Sequence, residues 1–340
     1  MGLEAQLRLQ KGREDHLLQR VLTLKTSDSP FFNEVDLRFL IDLVVQYPFF
    51  LPDESQRPAL LKCLDLAIED HRIESYVIDK AKTMVDIQNQ KSLKNVVLFG
   101  ASFNPTTLGH IEFIRLLLQG HPDTYDFVRL IPTGQSPLKN AKAYASISDR
   151  VHILQMMLAA HIDTTDRQRL SIERIEIDRS PPSRMVVTLS AMVLLRQGQE
   201  RYTLACGYDH VTQLSNWYRW QDLKDLCSFV FYPRQGITLL TEYHLACLLT
   251  LCRAGFSVKI VFSDSDKKVA FYEFCRVHLD MAQMDWMSHV MLVDDPAVSI
   301  MPSSATSIRA HYQLQKNTAI IPEGLTAEVH HYILKHHCYQ

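Results

Sequence analysis

The stretch from Val96 to Leu118 limits most strongly what this chain can fold into. Its first four residues, VVLF, are apolar and leave no polar face, which predicts a short strand buried on both sides in a parallel sheet. A turn must follow this strand, and four residues supply it: Gly100, Ser102, Asn104 and Pro105. Apolar residues at helical spacing then continue to Leu118, so the stretch predicts a strand, a loop and a helix in succession.

The loop after this strand is suited to binding an anion. It lies at the carboxyl end of a strand and the amino end of a helix, where unpaired N–H groups and the helix dipole favour a phosphate. Thr107 and His110 are three residues apart at the helix start, so both side chains can reach that anion. An isolated T-x-x-H pattern is more often a helix cap beside a surface histidine. The surrounding G-x-S-F-N-P favours phosphate chemistry instead.

Residues 100–110, GASFNPTTLGH, resemble the G-[ST]-F-[DN]-P-x-[HT]-x-G-H signature of the nicotinate or nicotinamide mononucleotide adenylyltransferases, within the nucleotidyltransferase superfamily. Residues 303–309, SSATSIR, are similar to the family's I-S-S-T-x-I-R. Between them, the GYD of residues 207–209 and the aromatic pair that follows it are similar to the family's G-x-D and aromatic pair. The resemblance covers roughly residues 94–339 and leaves the N-terminal quarter unexplained.

The resemblance implies a site for ATP and a pyridine mononucleotide. In such a site His110 donates to the α-phosphate, Arg309 holds the β- and γ-phosphates, and Asp209 accepts the ribose hydroxyls. The other implied ATP ligands are Gly100, Ser102, Phe103, Asn104, Thr107, Lys139, Ser304 and Thr306. The other implied mononucleotide ligands are Gly207, Trp217 and Tyr218, whose rings would stack on the pyridine. The metal would be Mg²⁺ held by the substrate phosphates, with no ligand from the protein.

Simpler explanations exist for four of these residues. Lys139 matches the family's lysine loop only in part and can be a solvated loop lysine. Asp209 can be a helix N-cap. Trp217 and Tyr218 can be core aromatics.

Residues 184 and 185 depart from the family pattern. Arg184 and Met185 stand where the family has tyrosine and threonine, and that threonine helps to read the pyridine carboxylate. The choice between nicotinate and nicotinamide mononucleotide therefore stays open. Two other functions also stay open, a non-catalytic nucleotide or dinucleotide sensor and an adenylyltransferase acting on a different phosphorylated substrate.

The chain of 340 residues is long enough for about two domains. Apolar stripes at helical spacing predict a small all-helical domain over residues 1–92, with a structural or regulatory role. Strands that alternate with helices predict a doubly wound, Rossmann-like α/β domain with a parallel sheet over residues 93–340. Extra helices around one strand predict a helical insertion at about residues 238–285.

Charge and cysteine content set the expected surroundings of the protein. A formal net charge of -2 favours neither nucleic acid nor an anionic membrane as a partner, and a homo-oligomer stays open. The seven cysteines form no C-x-x-C pair, and no run is long enough to span a bilayer, so we expect reduced thiols and a cytoplasmic location. Four closing histidines are expected on a solvated face rather than at a metal: His330, His331, His336 and His337.

Overall fold

The computed structural model describes residues 34, 37–38, 41–42, 73–88, 93–121, 123–134, 144–178, 184–196, 198–233, 241–279, 288–296, 298, 304–314 and 319–339. Lys139 and most of residues 1–72 lie outside this set, as does part of the region expected to be an insertion. Contacts divide the chain into two compact units. One comprises Lys94–Met185 and Arg201–Gln340, and the other comprises Met1–Leu93 and Val186–Glu200.

A seven-stranded parallel sheet forms the centre of the larger unit. Its strands are β1 Lys94–Ala101, β2 Phe127–Pro132, β3 Leu170–Ile172, β4 Glu200–Gly207, β5 Cys227–Tyr232, β6 Val258–Phe262 and β7 Val290–Asp294. They lie in the order β3-β2-β1-β4-β5-β6-β7. The prediction of a doubly wound α/β sheet is confirmed, because the order runs one way from β1 to β3 and the other way from β4 to β7.

Helices alternate with these strands along the chain. They are α1 Glu74–Gln88, α2 Leu108–Gln119, α3 Ile147–His161, α4 Thr164–Arg167, α5 Met185–Leu195, α6 Glu242–Arg253, α7 Ser265–His278, α8 Ala305–Leu314 and α9 Ala327–Lys335. Three 3₁₀ turns, Tyr208–His210, Leu214–Asn216 and Trp220–Asp225, connect β4 to β5. Within the described residues, none of these helices has the length and apolar character that crossing a bilayer requires.

The predicted strand after residue 95 is the buried β1 strand. Val96, Val97 and Leu98 have no exposed surface. The prediction that Gly100 belongs to the turn is wrong, because β1 continues through Ala101 and Gly100 pairs with Ile131 of β2. The turn therefore begins at Ser102. The point where the strand order reverses lies between β1 and β4, so a crevice at their carboxyl ends is where this class of fold binds ligands.

Two further expectations differ from the structure. Isoleucines that alternate with charged residues over residues 170–177 predict a strand, but β3 ends at Ile172 and a turn that buries Ile175 and Ile177 follows it. His330 is not on a solvated face: it is 8% exposed, and its Nδ1 lies 2.7 Å from the hydroxyl of Tyr312. The periodicity of the closing helix was too short to tell which histidine faces the core.

The region expected to be an insertion contributes to the sheet. Strand β6 pairs with β5 on one side and with β7 on the other, and α6 and α7 flank it in sequence. Of residues 1–92, the structure describes α1, a turn residue at Ile73 and five earlier residues that are helical. An all-helical domain over these residues stays a prediction. In the smaller unit, α5 buries every side chain from Val186 to Leu194, as expected for a helix that is apolar all round.

Candidate active site

The loop that joins β1 to α2 is polar and yet buried. Phe103, Asn104, Thr106 and Thr107 are each at most 1% exposed. Buried polar groups need partners, and the side-chain oxygen of Asn104 accepts a 3.1 Å hydrogen bond from the backbone N–H of Ala145. The backbone of Phe103 has a φ of +44°, which is uncommon for a residue with a side chain and is often found at functional sites.

His110 is oriented by the residue that caps its own helix. The backbone N–H of Thr107 donates to the Nδ1 atom of His110 at 3.1 Å, and the hydroxyl of Thr107 lies 2.7 Å from the same atom. Because Nδ1 accepts, the proton of the neutral ring belongs on Nε2. The rings of Phe99 and Phe103 pack at 6.1 and 5.3 Å from the imidazole, measured between centroids. His110 is thus held as a donor through Nε2.

Arg309 reaches the same loop from α8. Its Nη1 donates to the backbone carbonyl of Asn104 at 2.7 Å, and its Nη2 donates to the hydroxyl of Thr306 at 3.1 Å. The structure therefore brings two of the predicted residues to one loop: His110 is bonded to Thr107 and Arg309 to Asn104, three residues away. The sequence separates the two side chains by about two hundred residues.

Ser304 and Thr306 have local partners at the start of α8. The hydroxyl of Ser304 accepts from the backbone N–H of Ser307 at 3.3 Å, which is the geometry of an N-cap. Thr306 is exposed and accepts from Arg309. Ser304 stabilises the helix end, and Thr306 orients the guanidinium. Lys139, the remaining predicted phosphate ligand, lies outside the described residues.

Arg150 was not among the predicted site residues, and the structure shows that it supports the loop. It is 2% exposed, and its Nη1 donates to the carbonyls of Ser102 at 2.7 Å and Thr133 at 2.8 Å. These carbonyls follow the ends of β1 and β2, so one guanidinium holds two strand ends together. Burial lowers the pKa of Arg150, although a guanidinium stays charged at neutral pH. An arginine at the start of a helix, after Ser-x-Ser-Asp, was the available signal.

Asp209 lies in the 3₁₀ turn Tyr208–His210 that follows β4. The cap of that turn is Gly207, so the N-cap explanation for Asp209 does not hold there. The Oδ1 atom of Asp209 is 3.6 Å from Nδ1 of His210. The ring of His210 meets Trp217 edge-on, with centroids 5.9 Å apart. Buried Tyr208 anchors the turn by donating from its hydroxyl to the carbonyl of Val261.

Tyr218 is not a core aromatic, because 44% of it is exposed. The guanidinium carbon of Arg184 lies 4.0 Å from the centre of its ring. The next residue, Met185, lies against the end of β1: a Cβ built on Gly100 would be 3.3 Å from its Cε. Arg184 is therefore near the carboxyl end of β1, and Tyr218 lies against it.

The donors around the loop suit an anion rather than a bare metal ion. They are the imidazole of His110 and the guanidinium of Arg309. Throughout the described ranges, no three histidine, cysteine, aspartate or glutamate side chains are grouped so that they could hold a metal. A cation that enters with a nucleotide would depend on the phosphate oxygens for its ligands.

The sequence profile of the cytidylyltransferase-like family matches residues 98–311, which include β1, the loop, Asp209 and Arg309. The chain belongs to the cytidylyltransferase-like family. This cytidylyltransferase-like chain is also distantly homologous to proteins named as nicotinate-nucleotide adenylyltransferases. The pattern read from residues 100–110 and 303–309 thus predicted the relationship correctly.

Two curated relatives give the extent of the similarity. A probable nicotinate-nucleotide adenylyltransferase of Geobacillus kaustophilus is 28% identical over 146 residues, 43% of this chain and 63% of the relative. A probable nicotinate-nucleotide adenylyltransferase of Legionella pneumophila strain Lens is 30% identical over 163 residues, 44% of this chain and 72% of the relative. The match to the Geobacillus protein therefore spans less than two thirds of that protein's length.

A solved structure also resembles the chain. Plasmodium falciparum nicotinic acid mononucleotide adenylyltransferase complexed with NaAD superimposes with a TM-score of 0.48 at 13% identity, over 72% of this chain and 97% of that protein.

Proposed function

We propose that this chain transfers the adenylyl group of ATP to nicotinate or nicotinamide mononucleotide, giving the dinucleotide and pyrophosphate in NAD biosynthesis. The observation that carries the proposal is the attachment of His110 and Arg309 to one buried loop at the reversal point of the sheet. The names of the curated relatives, probable nicotinate-nucleotide adenylyltransferases, support the nicotinate nucleotide as a substrate. A cytoplasmic location is part of the proposal and agrees with the free thiols of the described cysteines.

The reaction needs no base from the protein. The phosphate of the mononucleotide is already ionised, and one of its oxygens attacks the α-phosphorus of ATP in line. A phosphorus–oxygen bond to the mononucleotide forms as the bond to pyrophosphate breaks, and the pyrophosphate leaves with the electron pair. The protein must therefore position two anions and stabilise the charge on the leaving group.

His110 and Arg309 have complementary roles in this scheme. The Nε2–H of His110 donates to an oxygen of the α-phosphate, and its orientation is fixed in advance by Thr107. Arg309 holds the β- and γ-phosphates, because a guanidinium offers several N–H donors in a planar fork. Mg²⁺, carried in by ATP, supplies further neutralisation of the phosphate charge. Fixed donors of this kind need little rearrangement during the reaction, which makes them effective.

The mononucleotide occupies the end of β4 in this proposal. Asp209 accepts the ribose hydroxyls, and Gly207 allows the nucleotide to approach the backbone. Trp217 and Tyr218 stack on the pyridine, and the exposed ring of Tyr218 supports this role.

The test is a pyrophosphate-release assay with ATP and each of several mononucleotides. We expect turnover with at least one pyridine mononucleotide. His110→Ala should lower kcat by about 100-fold, as the loss of one oxyanion donor does. His331→Ala is the matched control, because His331 is an exposed histidine on α9, and it should leave kcat unchanged.

Two results would contradict the proposal. If a folded His110→Ala variant keeps the wild-type kcat, the proposed role of the imidazole as a donor to the α-phosphate is wrong. No turnover with any mononucleotide, together with tight binding of the dinucleotide, would show a nucleotide sensor instead of an enzyme. Turnover only with a mononucleotide that has no pyridine would keep the adenylyl transfer and change the substrate.

A further inference from the structure

Arg150 is a buried cation without an anionic partner. It is 2% exposed, and among the residues that the structure describes it forms no ion pair, because its hydrogen bonds go to the backbone carbonyls of Ser102 and Thr133. Its Nε–H group is shielded from solvent and has no acceptor in that part of the chain. Taking a charge out of water is costly unless an opposite charge compensates it. The guanidinium therefore keeps one buried donor for a further ligand.

Two tyrosine hydroxyls beside Arg150 are in the same condition. The hydroxyls of Tyr144 and Tyr339 are shielded from solvent, and neither has a hydrogen-bond partner within the described ranges. The ring centre of Tyr144 lies 5.2 Å from the guanidinium carbon of Arg150. Tyr339 is 9% exposed, and its φ of +69° is uncommon for a residue with a side chain, so packing holds the ring in this place. Because buried hydroxyls nearly always have a partner, both hydroxyls indicate a ligand.

The two phenols have positively charged neighbours. Burial raises the pKa of Tyr144 and of Tyr339, and the charges of Arg150 and Arg309 oppose that rise at both rings. Charges have such an effect when they are close and poorly screened by water. Arg309 also donates only to neutral acceptors, which are the carbonyl of Asn104 and a hydroxyl. Neither guanidinium is therefore neutralised by a hydrogen-bonded carboxylate of the described residues.

One carboxylate acts on this place, but its oxygens are engaged elsewhere. Asp149 contributes to raising the pKa of Tyr339. Its oxygens accept hydrogen bonds from the hydroxyl of Ser146 at 2.6 Å and from the hydroxyl of Tyr332 at 2.8 Å. The described charges that act on Tyr339 are thus two guanidiniums and one carboxylate, which leaves the place net positive.

We propose that Arg150, Tyr144 and Tyr339 bind a chloride ion through one N–H group and two hydroxyls. Three donors beside a net positive charge suit an anion, whereas a water molecule would leave the charge of Arg150 uncompensated. The donors are enclosed, which favours a single-atom anion over a phosphate group. Bound chloride would stabilise the guanidinium that fastens the residues after β1 and β2. The inference does not depend on adenylyl transfer.

The first test is thermal melting of the nucleotide-free protein while sodium chloride replaces sodium gluconate at constant ionic strength. We expect a melting temperature roughly 2 to 4 °C higher in chloride, because an ion that binds only the folded chain stabilises it. The gain should grow with the logarithm of the chloride concentration once the site is mostly filled. In crystals soaked in sodium bromide, we expect an anomalous peak between the Nε atom of Arg150 and the two hydroxyls.

Tyr339→Phe removes one donor and leaves the ring. In gluconate it should melt no lower than wild type, because the hydroxyl that it lacks had no acceptor. It should need about tenfold more chloride for the same gain, since a hydrogen bond to a charged group is lost. Tyr144→Phe should behave in the same way. A tyrosine with a merely structural role would lose stability in both salts instead.

Tyr312→Phe is the matched control. Tyr312 is also fully buried, but its hydroxyl has a partner, the Nδ1 atom of His330 at 2.7 Å. We expect this variant to lower the melting temperature equally in both salts and to keep the wild-type response to chloride.

Four outcomes overturn the inference. One is a wild type that melts alike in both salts, in which case bromide in the crystal is an adventitious ion only. Another is a bromide peak that lies elsewhere. A third is a Tyr339→Phe variant that melts lower than wild type in gluconate and keeps the chloride response, which would mean that the hydroxyl has a partner within the protein. If inorganic pyrophosphate abolishes the chloride response, the three donors serve nucleotide phosphates instead.

Discussion

At the scale of single residues, Thr107 connects helix capping to the proposed chemistry. Its hydroxyl and its backbone N–H both engage Nδ1 of His110, and the residue is fully buried. Thr107→Val keeps the shape and the N–H but removes the hydroxyl. We expect kcat to fall about tenfold, because one of two contacts that orient the ring is lost.

Thr107→Ser is the control, because it retains the hydroxyl. We expect it to keep kcat within about twofold of wild type. The measurement is pyrophosphate release, accompanied by urea unfolding, in which Thr107→Val should lose about 1 kcal/mol as a weakened helix cap. Equal kcat for Thr107→Val and wild type would mean that the backbone N–H alone orients His110.

Arg150 gives a second prediction at this scale. Arg150→Met removes two hydrogen bonds from a side chain that is 2% exposed and leaves two carbonyls without that donor. We expect the free energy of unfolding to fall by about 3 kcal/mol, with a lower kcat because the loop is less firmly held. Urea denaturation measures the first effect and pyrophosphate release the second.

Arg174→Met supplies the comparison, because Arg174 is exposed and its surface ion pair with Asp178 contributes little. If Arg150→Met lowers the free energy of unfolding no more than Arg174→Met does, the hydrogen bonds from Arg150 to Ser102 and Thr133 do not stabilise the fold.

Residues with local signatures, Arg309 among them, were predictable from the sequence, whereas the contacts they make with distant parts of the chain were not. The loop and the start of α2 are contiguous in sequence, so the pattern around His110 could be read directly. Arg150 contacts carbonyls at the ends of two different strands, and no local pattern contains that information. The pairing of Arg184 with Tyr218 likewise joins segments whose proximity only the fold creates.

At the scale of elements, α2 carries a clear stop signal. Gly120 follows its last residue with a φ of +84°, and its N–H and that of His121 satisfy carbonyls of the last turn. Gly120→Ala should lower the free energy of unfolding by about 1 to 2 kcal/mol, because a side chain disfavours the left-handed backbone. A Cβ at this position would make no contact shorter than 3.4 Å, so the cost is conformational rather than steric.

Gly120→Asn tests that reason, because asparagine tolerates the left-handed region better than alanine. Urea unfolding should rank the three proteins as glycine, asparagine and alanine in falling stability. If asparagine is as costly as alanine, backbone conformation is not the cause.

Elements were predictable where periodicity was long or burial was complete. Strand β1 was found because four apolar residues in a row need burial on both sides. Its extension through Gly100 was missed, since glycine is a frequent turn residue and the pairing with Ile131 overrides that tendency. The alternation of isoleucine with charge over residues 170–177 predicts a strand, yet only residues 170–172 form one, and Ile175 and Ile177 are buried by a turn.

At the scale of the whole molecule, burial controls the chemistry of the thiols. Burial raises the pKa of Cys252 to about 12 and of Cys275 to about 11, and it also raises the pKa of Cys206, Cys227 and Cys338. In a Cys63→Ser background, we expect these thiols to react slowly with a disulfide reagent at pH 8, because the thiolate is the reactive form.

Cys247 should react first: it is half-buried, as Cys227 also is, but its pKa is raised less than the pKa of Cys227 and of the buried thiols. Cys247→Ser should remove the fast phase, and urea should make every remaining thiol reactive. Unfolding returns the thiols to a pKa of about 8.5. The free energy of unfolding should therefore fall as the pH rises above that value, because the unfolded chain then loses thiol protons that the folded chain still holds. Rapid reaction of all thiols in the folded chain would contradict the burial.

The parallel sheet was predictable as a class, and its strand order was not. Alternating strands and helices imply parallel pairing, because each crossover helix must return the chain to the same edge. The sequence of residues 238–285 indicated a strand between helices. Only pairing with β5 and β7 shows that this strand lies inside the sheet.

The bond from Arg309 to the carbonyl of Asn104 also has a consequence during protein synthesis. Asn104 leaves the ribosome 205 residues before the guanidinium that donates to its carbonyl is synthesised. A polypeptide that stops between β7 and α8 contains the residues of all seven strands, but it lacks the arginine that contacts the loop between β1 and α2. A product truncated before residue 309 would therefore lack the guanidinium that the proposed function assigns to the β- and γ-phosphates.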